Sequence, residues 1–248
     1  MFDHVTIRVR ERAASERFYA LVLRELGVEP TYTGDDFGEW DDFSLAEATP
    51  EQPATTGLHV AFAAPTRTHV DAFWRAGVDA GHPSDGEPGP RPLYGGDYYG
   101  GFLLDPEGNS VEAVHNGALR EGNLDHLWIR VTDVAAATAF YDLVAPYGGF
   151  RQGEEQPDRG PALPHRTFFG GGSGSFSVVS GGEPTRNLHV AFPGRDDATV
   201  DAFHAAAIAA GYRDNGGPGE RPAYHAGYYA AFVLDPDGTN VEVVCHNR

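Results

Sequence analysis

Apolar and polar residues alternate at several places along the chain, which is the pattern of half-buried strands. Near the start, Val5, Ile7 and Val9 fall on one side of a predicted strand, and polar residues fill the positions between them. Apolar residues then recur at helical spacing over 13–26 and again over 70–80. Short strand-like runs precede and follow each helical stretch. The pattern therefore predicts the succession βαβββ twice within the first half of the chain.

The second half of the sequence repeats the first. LHVAF occurs identically at 58–62 and at 188–192, and the sequences that follow align without a gap. Repetition over this length indicates a duplicated structural unit. We therefore predict two domains, residues 1–118 and 123–248, joined by a linker over 117–123.

Three short segments predict turns. DPEG at 105–108 and DPDG at 235–238 combine a proline, which fixes φ, with a glycine, which allows positive φ, so each predicts a tight hairpin. These turns set the register of the strands that carry Glu112 and Glu242. GGGSGS at 170–175 has no lysine after it and begins no helix, so it predicts a flexible hairpin and not a phosphate-binding loop.

Composition excludes several classes of function. The net charge of −18 repels phosphate backbones, and no stripe rich in lysine and arginine offsets it, so nucleic acid is not an expected partner. No apolar run is long enough to cross a bilayer, and the start lacks the apolar stretch of a signal peptide. The single cysteine, Cys245, excludes an internal disulfide and suits a reducing compartment. We expect a cytoplasmic protein that acts without a membrane.

Each half places two histidines and one glutamate on strand faces that point away from the predicted helices. These residues are His4, His59 and Glu112 in the first half, and His126, His189 and Glu242 in the second. Two imidazoles and one carboxylate with open coordination positions suit a divalent transition metal, with Fe(II) favoured and Mn, Ni, Zn or Co as alternatives. A lone strand histidine is more often an ordinary polar residue, and a recent duplication would also repeat it. The recurrence of the complete set in both halves nevertheless favours metal binding.

These motifs carry a family resemblance. DHVTIRV at 3–9, LHVAF at 58–62 and DPEGNSVE at 105–112 resemble the vicinal oxygen chelate superfamily, which includes glyoxalases, extradiol dioxygenases, fosfomycin-resistance proteins and bleomycin-binding proteins. The resemblance covers nearly the whole chain, twice. It implies an α+β fold of paired βαβββ modules that form cup-shaped sheets around a metal, with four modules in two tandem domains. It also implies that the six residues above are the ligands.

The sequence departs from some members of that family. Glyoxalases have a fourth protein ligand that would fall within 44–47, and Glu47 there has no acidic counterpart in the aligned segment 177–180. A site with four protein ligands is therefore not expected. Extradiol dioxygenases with two tandem domains usually keep the ligands in only one, whereas both halves keep them here. Bleomycin-binding members lack the ligand set altogether.

Three functions follow from the resemblance. The first is a metal-dependent enzyme that acts on a small-molecule substrate and is nearest to an extradiol-type dioxygenase. The second is a lyase or isomerase of the glyoxalase kind, or a thiol transferase of the fosfomycin-resistance kind, in which the metal polarises an oxygen without redox chemistry. The third belongs to another class, a drug-binding protein that sequesters its ligand and does not use the metal residues. Fold alone does not choose among them.

Family members commonly complete a cup from two copies of the module. This chain therefore resembles a fused dimer, and we expect a monomer of that kind or a homodimer. In such pairs the first-strand histidine can come from the other copy. The ligand sets are then either those within each half or the crossed sets, His126 with His59 and Glu112, and His4 with His189 and Glu242.

Other residues are candidates for contact with substrate. Arg91 and Arg221 each lie in an RPxY segment, where they either bind an anionic group or hold a loop by bonding to carbonyl groups. Tyr94 and Tyr224 follow them, among glycines and turn residues that indicate a loop. We expect these two tyrosines to contact a ligand.

The two halves differ at one further position. His225 follows Tyr224, whereas Gly95 occupies the matching place in the first half. An imidazole can exchange protons near neutral pH, so His225 is a candidate acid or base, although a histidine in such a place is more often an exposed loop residue. His246 shares the strand face of Glu242, but fraying near the end of the strand makes it a weak candidate. If only one centre is active, we expect it to be the one that contains His189 and Glu242.

Overall fold

A computed structural model describes residues 1–117, 122–160 and 163–247. Most of the predicted linker, residues 118–121, lies outside the described residues, as does the predicted end of the first domain at residue 118. Among the described residues, no helix combines the length and the apolar character that crossing a bilayer requires.

The described chain contains four helices and sixteen strands. The helices are α1 Arg12–Arg24, α2 Arg67–Asp79, α3 Val134–Gly148 and α4 Asp197–Ala209. The strands of the first repeat are β1 His4–Val9, β2 Tyr32–Thr33, β3 Phe37–Trp40, β4 Phe43–Glu47, β5 His59–Ala63, β6 Ser84–Pro90, β7 Tyr99–Leu104 and β8 Ser110–His115. Those of the second repeat are β9 Leu124–Arg130, β10 Arg151–Gln156, β11 Arg166–Gly170, β12 Ser175–Val179, β13 His189–Pro193, β14 Arg213–Glu220, β15 Tyr228–Leu234 and β16 Asn240–His246.

The strands form two eight-stranded sheets. The order of strands is β14-β15-β16-β13-β1-β4-β3-β2 in one sheet and β10-β11-β12-β9-β5-β8-β7-β6 in the other. Each repeat contributes a βαβββ succession twice, so the predicted α+β class and the tandem organisation are confirmed.

The chain divides into two compact units that do not coincide with the two repeats. One unit is the segment Thr6–Trp128, and the other combines Met1–Val5 with Ile129–Arg248. The first strand of each repeat therefore begins in one unit and ends in the other. The domains 1–118 and 123–248 remain a prediction from the repeat.

Burial follows the predicted faces of the first strand. Val5, Ile7 and Val9 are fully buried, whereas His4 is half-buried at the start of the strand. The DPEG turn has the predicted geometry, with Gly108 at φ 87° and its N–H donated to the carbonyl of Asp105. The segment 170–175 joins β11 to β12, as predicted for a hairpin.

Two edge strands, β6 and β14, were not evident in the sequence. β6, with the sequence SDGEPGP, and β14, with RDNGGPGE, have no apolar alternation. They are strands because they pair with β7 and β15, and shifts in register interrupt both pairings. Proline and glycine are tolerated in such positions at the edge of a sheet.

Candidate metal centres

Strand register brings three predicted ligands together in the unit Thr6–Trp128. Ala61 on β5 lies opposite Glu112 on its parallel neighbour β8 and opposite His126 on its antiparallel neighbour β9. His59 is two residues before Ala61, so its side chain is on the same face of the sheet.

We call this set of His59, Glu112 and His126 the Glu112 centre. Glu112 is 1% exposed, and its Oε2 lies 3.0 Å from His59 Nε2 and 3.5 Å from His126 Nε2. Burial lowers the pKa of His59, against the opposing effect of the hydrogen bond and charge of Glu112. A lower pKa favours the neutral imidazole, which is the form that binds a metal.

The other unit contains the corresponding set. Ala191 on β13 lies opposite Glu242 on β16, His189 is two residues before Ala191, and the N–H of Asp3 donates to the carbonyl of Ala191. Glu242 Oε2 lies 3.0 Å from His189 Nε2 and 3.6 Å from His4 Nε2. The two Nε2 atoms are 3.1 Å apart. We call His4, His189 and Glu242 the Glu242 centre.

All six predicted ligands therefore meet in the crossed combination. In each centre the potential ligand atoms lie within 4.8 Å of one another. His4 lies with residues of the second repeat, and His126 lies with residues of the first. The alternative sets within each half, His4 with His59 and Glu112, and His126 with His189 and Glu242, are not formed.

The chemistry of the donor atoms fits a divalent metal. Four imidazole Nε2 atoms converge on two carboxylates that are almost fully buried, and a buried carboxylate needs a compensating cation. Among the residues that the structure describes, neither group includes a fourth histidine, cysteine, aspartate or glutamate. Glu47 in particular belongs to neither group, and its side chain is exposed at the end of β4. Three protein ligands leave coordination positions for other molecules.

A tyrosine holds the glutamate in each centre. The hydroxyl of Tyr98 donates to Glu112 Oε1 at 2.8 Å, and that of Tyr228 donates to Glu242 Oε1 at 2.7 Å. Burial and the charge of the neighbouring glutamate raise the pKa of both phenols, so they remain protonated donors. The bond occupies Oε1 and leaves Oε2 facing the histidines. The repetition of both tyrosines in the sequence was a signal for this role, but it did not distinguish a contact with glutamate from packing.

The two predicted arginines hold their own loops. Arg91 donates to the carbonyls of Glu87 and Pro90, and Arg221 donates to those of Gly217 and Glu220. Each guanidinium also stacks on a phenylalanine, Phe102 or Phe232. This is the loop-holding alternative of the sequence analysis. The binding of an anionic substrate by either arginine remains a prediction.

The aromatic surroundings of the two predicted loop tyrosines differ. Tyr94 contacts Trp128 edge-to-face with ring centroids 6.0 Å apart, and Trp128 in turn lies 5.8 Å from the ring of His59. The Glu112 centre thus has an aromatic wall beside one of its histidines. Tyr224 is 64% exposed.

A chain of polar contacts connects the Glu242 centre with a surface loop. His225 Nε2 lies 2.9 Å from His246 Nδ1, His246 Nε2 lies 2.9 Å from Asp3 Oδ2, and Asp3 Oδ1 lies 2.8 Å from His4 Nδ1. Fraying made His246 a weak candidate in the sequence, whereas β16 extends through this residue. Burial alone would raise the pKa of Asp3, but the contacts with His4 and His246 lower it.

The corresponding aspartate in the other unit contacts an amide. Asp125 Oδ1 lies 2.9 Å from His126 Nδ1, and Asn116 donates to Asp125 Oδ2 at 3.1 Å. Asn116 thus occupies the place of His246, and Gly95 occupies that of His225.

Comparison with known families gives one clear result. The sequence profile of the Glyoxalase/Bleomycin resistance protein/Dioxygenase superfamily matches residues 1–113 and, a second time, residues 123–243. No curated protein sequence matches this chain significantly.

Several solved structures are similar in fold. Glyoxalase I from Zea mays is 19% identical, with a TM-score of 0.70 over 99% of this chain and 92% of its own. A candidate dioxygenase from Bacillus subtilis is 15% identical, with a TM-score of 0.64 over 100% of this chain and 85% of its own. An extradiol ring-cleaving dioxygenase from B. fuscum is 18% identical over 98% of this chain and 70% of its own, with a TM-score of 0.43. At these identities the first two comparisons concern the fold, and the third carries no argument.

Proposed function

The chain belongs to the Glyoxalase/Bleomycin resistance protein/Dioxygenase superfamily. From that membership we propose that it is a metal-dependent enzyme that acts on a small molecule and is nearest in chemistry to an extradiol-type dioxygenase. The observation that carries the proposal is the pair of crossed centres, each with two imidazole nitrogens and one buried carboxylate within 4.8 Å. A sequestering protein does not require such a set.

The three-ligand composition favours the dioxygenase. A divalent ion held by His4, His189 and Glu242 would supply Lewis acidity and, in the case of Fe(II), redox chemistry with O2. Two imidazoles and one carboxylate leave adjacent positions open for two neighbouring oxygens of a substrate. A fourth protein ligand would reduce that number.

The residues around each centre have defined tasks in this proposal. Tyr228 holds Glu242 through Oε1, so Oε2 is directed at the ion, and Tyr98 does the same for Glu112. Asp3 and Asp125 accept from the Nδ1 atoms of His4 and His126, which leaves the Nε2 lone pairs for the ion. These contacts fix the orientation of the ligands before the ion binds.

We propose that the Glu242 centre is the catalytic one. Its histidines His4 and His189 are 23% and 20% exposed, against 13% and 10% for His59 and His126. It also adjoins His246 and His225, which can carry a proton between the centre and solvent. Tyr224 is then the loop residue available to a substrate. Tyr94, in contact with Trp128, is less available.

The same pair of histidines favours a second candidate. Isomerases and lyases that use a metal without redox chemistry need a proton acceptor and donor beside the substrate. His225 and His246 provide two imidazoles 2.9 Å apart near the Glu242 centre. A glyoxalase-like lyase or isomerase, or a thiol transferase, is therefore the alternative to the dioxygenase.

Two measurements test these proposals. Elemental analysis after loading should give up to two divalent ions per chain, and a protein with both His59→Ala and His189→Ala should bind substantially less. Absence of this difference would contradict metal binding. The protein loaded anaerobically with Fe(II) should then consume O2 with a catecholic substrate and produce the absorbance of a ring-cleavage product. Turnover of a thiol adduct or an epoxide without O2 would favour the second candidate instead.

Cytoplasmic location and the state of a monomer resembling a fused dimer, or of a homodimer, remain predictions. Light scattering of the purified protein would distinguish the two assemblies.

A further inference from the structure

Each metal-facing histidine has a second nitrogen, and the partners of those second nitrogens differ between the centres. In a metal-bound neutral imidazole, one nitrogen binds the ion and the other carries the proton. The Nε2 atoms face the glutamates, so Nδ1 must be the donor. For His4 and His126 the partner of Nδ1 is an aspartate in both cases. The difference therefore lies at His59 and His189.

His59 has a partner that prepares it for the metal. Its Nδ1 lies 3.0 Å from Ser110 Oγ, and the Ser110 hydroxyl donates to Asp85 Oδ2 at 2.7 Å. Because the hydroxyl hydrogen is directed to Asp85, Ser110 Oγ is left to accept the Nδ1 proton of His59. The Nε2 lone pair then faces Glu112.

His189 has neutral partners at the matching positions. Its Nδ1 lies 2.7 Å from Asn240 Nδ2, and Asn215 Nδ2 donates to Asn240 Oδ1 at 2.9 Å. An amide NH2 group is a donor, so this arrangement puts the ring proton on Nε2, the atom that faces Glu242. Binding of an ion then requires the proton to move to Nδ1 and both amides to turn over. Even after that rearrangement, the Asn240 amide that contacts Nδ1 of His189 carries no charge.

We infer that the two centres bind a divalent ion with unequal affinity, tightly at the Glu112 centre and more weakly at the Glu242 centre. The difference is determined by two pairs of residues, Ser110 with Asp85 in the first centre and Asn240 with Asn215 in the second. This inference rests on the proposed metal function. It assigns to these four residues a positioning role, since they act on the ion through His59 and His189.

The expected difference has a bounded size. Replacement of a partner that orients a ligand typically costs 10- to 100-fold in metal affinity. Asp85 is exposed, and solvent and salt screen its charge. We therefore expect a ratio of dissociation constants near the lower end, about 10-fold.

The matched positions of the two repeats provide the variants. Glu242→Ala leaves only the Glu112 centre, and Glu112→Ala leaves only the Glu242 centre. Calorimetric titration of each metal-stripped full-length protein with Co²⁺ should give a Kd about 10-fold lower for the first. Adding Ser110→Asn and Asp85→Asn to the first should remove most of that advantage. Adding Asn240→Ser and Asn215→Asp to the second should lower its Kd by a similar factor.

A control removes a charge without touching the histidine. Asp79→Asn neutralises an exposed carboxylate at the end of α2, outside the contacts described above, and should leave both affinities unchanged. The protein with all its ligands intact gives an independent measurement, which does not depend on the folding of the alanine variants. It should show two Co²⁺ binding phases, of which Asp85→Asn weakens only the tighter.

The outcomes separate this inference from the proposed function. Equal affinity at the two centres, or tighter binding at the Glu242 centre, would overturn the inference while leaving metal binding intact. Loss of affinity in Asp79→Asn equal to that in Asp85→Asn would overturn the role of the Ser110 contact. Failure of Co²⁺ to bind at either centre would overturn the proposed metal function and this inference with it.

Discussion

Asp3 Oδ2 lies 2.9 Å from His246 Nε2, although 243 positions separate the two residues in the sequence. The other oxygen of Asp3 contacts His4 Nδ1. One carboxylate therefore connects His4, a candidate metal ligand, with an imidazole pair whose far member, His225, lies in a partly exposed loop. The equivalent Asp125 instead receives the amide of Asn116, which cannot take up a proton at physiological pH.

Replacing His246 and His225 by the residues of the first repeat should separate proton transfer from metal binding. The variants are His246→Asn and His225→Gly, matched to Asn116 and Gly95. We expect about a 10²-fold loss of turnover, the lower end of general acid–base effects, with metal content unchanged. Turnover rates and elemental analysis measure the two quantities.

His204→Asn is the control for that experiment. His204 also contacts a carboxylate, that of Asp214, in the same unit but on α4. The His204→Asn protein should have normal turnover. If the His225 and His246 variants have the same turnover as this control, the two histidines are ordinary surface residues.

The two glutamates should have unequal effects on activity. Glu242→Ala should abolish turnover, because it removes the carboxylate of the more exposed centre, whereas Glu112→Ala should retain much of it. Circular dichroism spectra of both variants should be recorded beside their rates to show that they are folded, since each change also removes the acceptor of a tyrosine hydroxyl. Equal losses in two folded variants would instead indicate two equivalent centres.

The aromatic wall formed by Trp128 and Tyr94 should restrict access to the Glu112 centre. Thr6 occupies the matching position of the first repeat, so Trp128→Thr substitutes the residue type that the chain already has there. We expect a chelator to remove Co²⁺ faster from the Glu112 centre of this variant, with the rate at the Glu242 centre unchanged. A rate equal to that of the unmodified protein would mean that Trp128 is not a barrier.

Asp42 should make the stability of the protein depend on pH. Burial raises its pKa from 3.8 to about 6, against the opposing effect of the N–H groups of Leu124 and Asn123. Because the pKa of Asp42 is higher in the folded state than in the unfolded state, its contribution to the free energy of unfolding is complete below about pH 3.8 and is lost as the pH rises through 6. The loss amounts to about 3 kcal/mol.

Asp42→Asn keeps an acceptor oxygen but cannot ionise, so its unfolding free energy should not show this loss. Urea unfolding at pH 4 and pH 7.5 would measure the change for both proteins. Asp36→Asn, at an exposed position, serves as the control. Parallel pH dependence of the original protein and Asp42→Asn would contradict the assignment to Asp42.

The six candidate ligands could be identified from the sequence, but which of them lie together could not be decided from it. Strand alternation and the repeat identify His4, His59 and Glu112 as one polar face, because these signals are local. The crossing depends on which strand pairs with β5, and β9 of the other repeat does so. Sequence distance gives no indication of that choice.

The contacts that the candidate histidine ligands make with neighbouring residues were harder still to predict. Ser110 and Asn240 are ordinary strand residues in the sequence, and their meaning comes from the parallel pairing that sets them beside His59 and His189. His246 was undervalued for a similar reason. Its contact with Asp3 joins residues near opposite ends of the described chain, and no local pattern encodes such a contact.

The discontinuous unit has a consequence for the order in which the protein is made. Thr6–Trp128 is continuous, so a ribosome that has released this segment has released every residue of the Glu112 centre. The other unit needs Met1–Val5, which emerges before that segment, and β16, which emerges long after it. His4 must therefore remain unpaired with Glu242 during most of translation. Domains generally fold in the order of synthesis. The two centres, although nearly alike in the finished protein, are therefore completed at different times during translation.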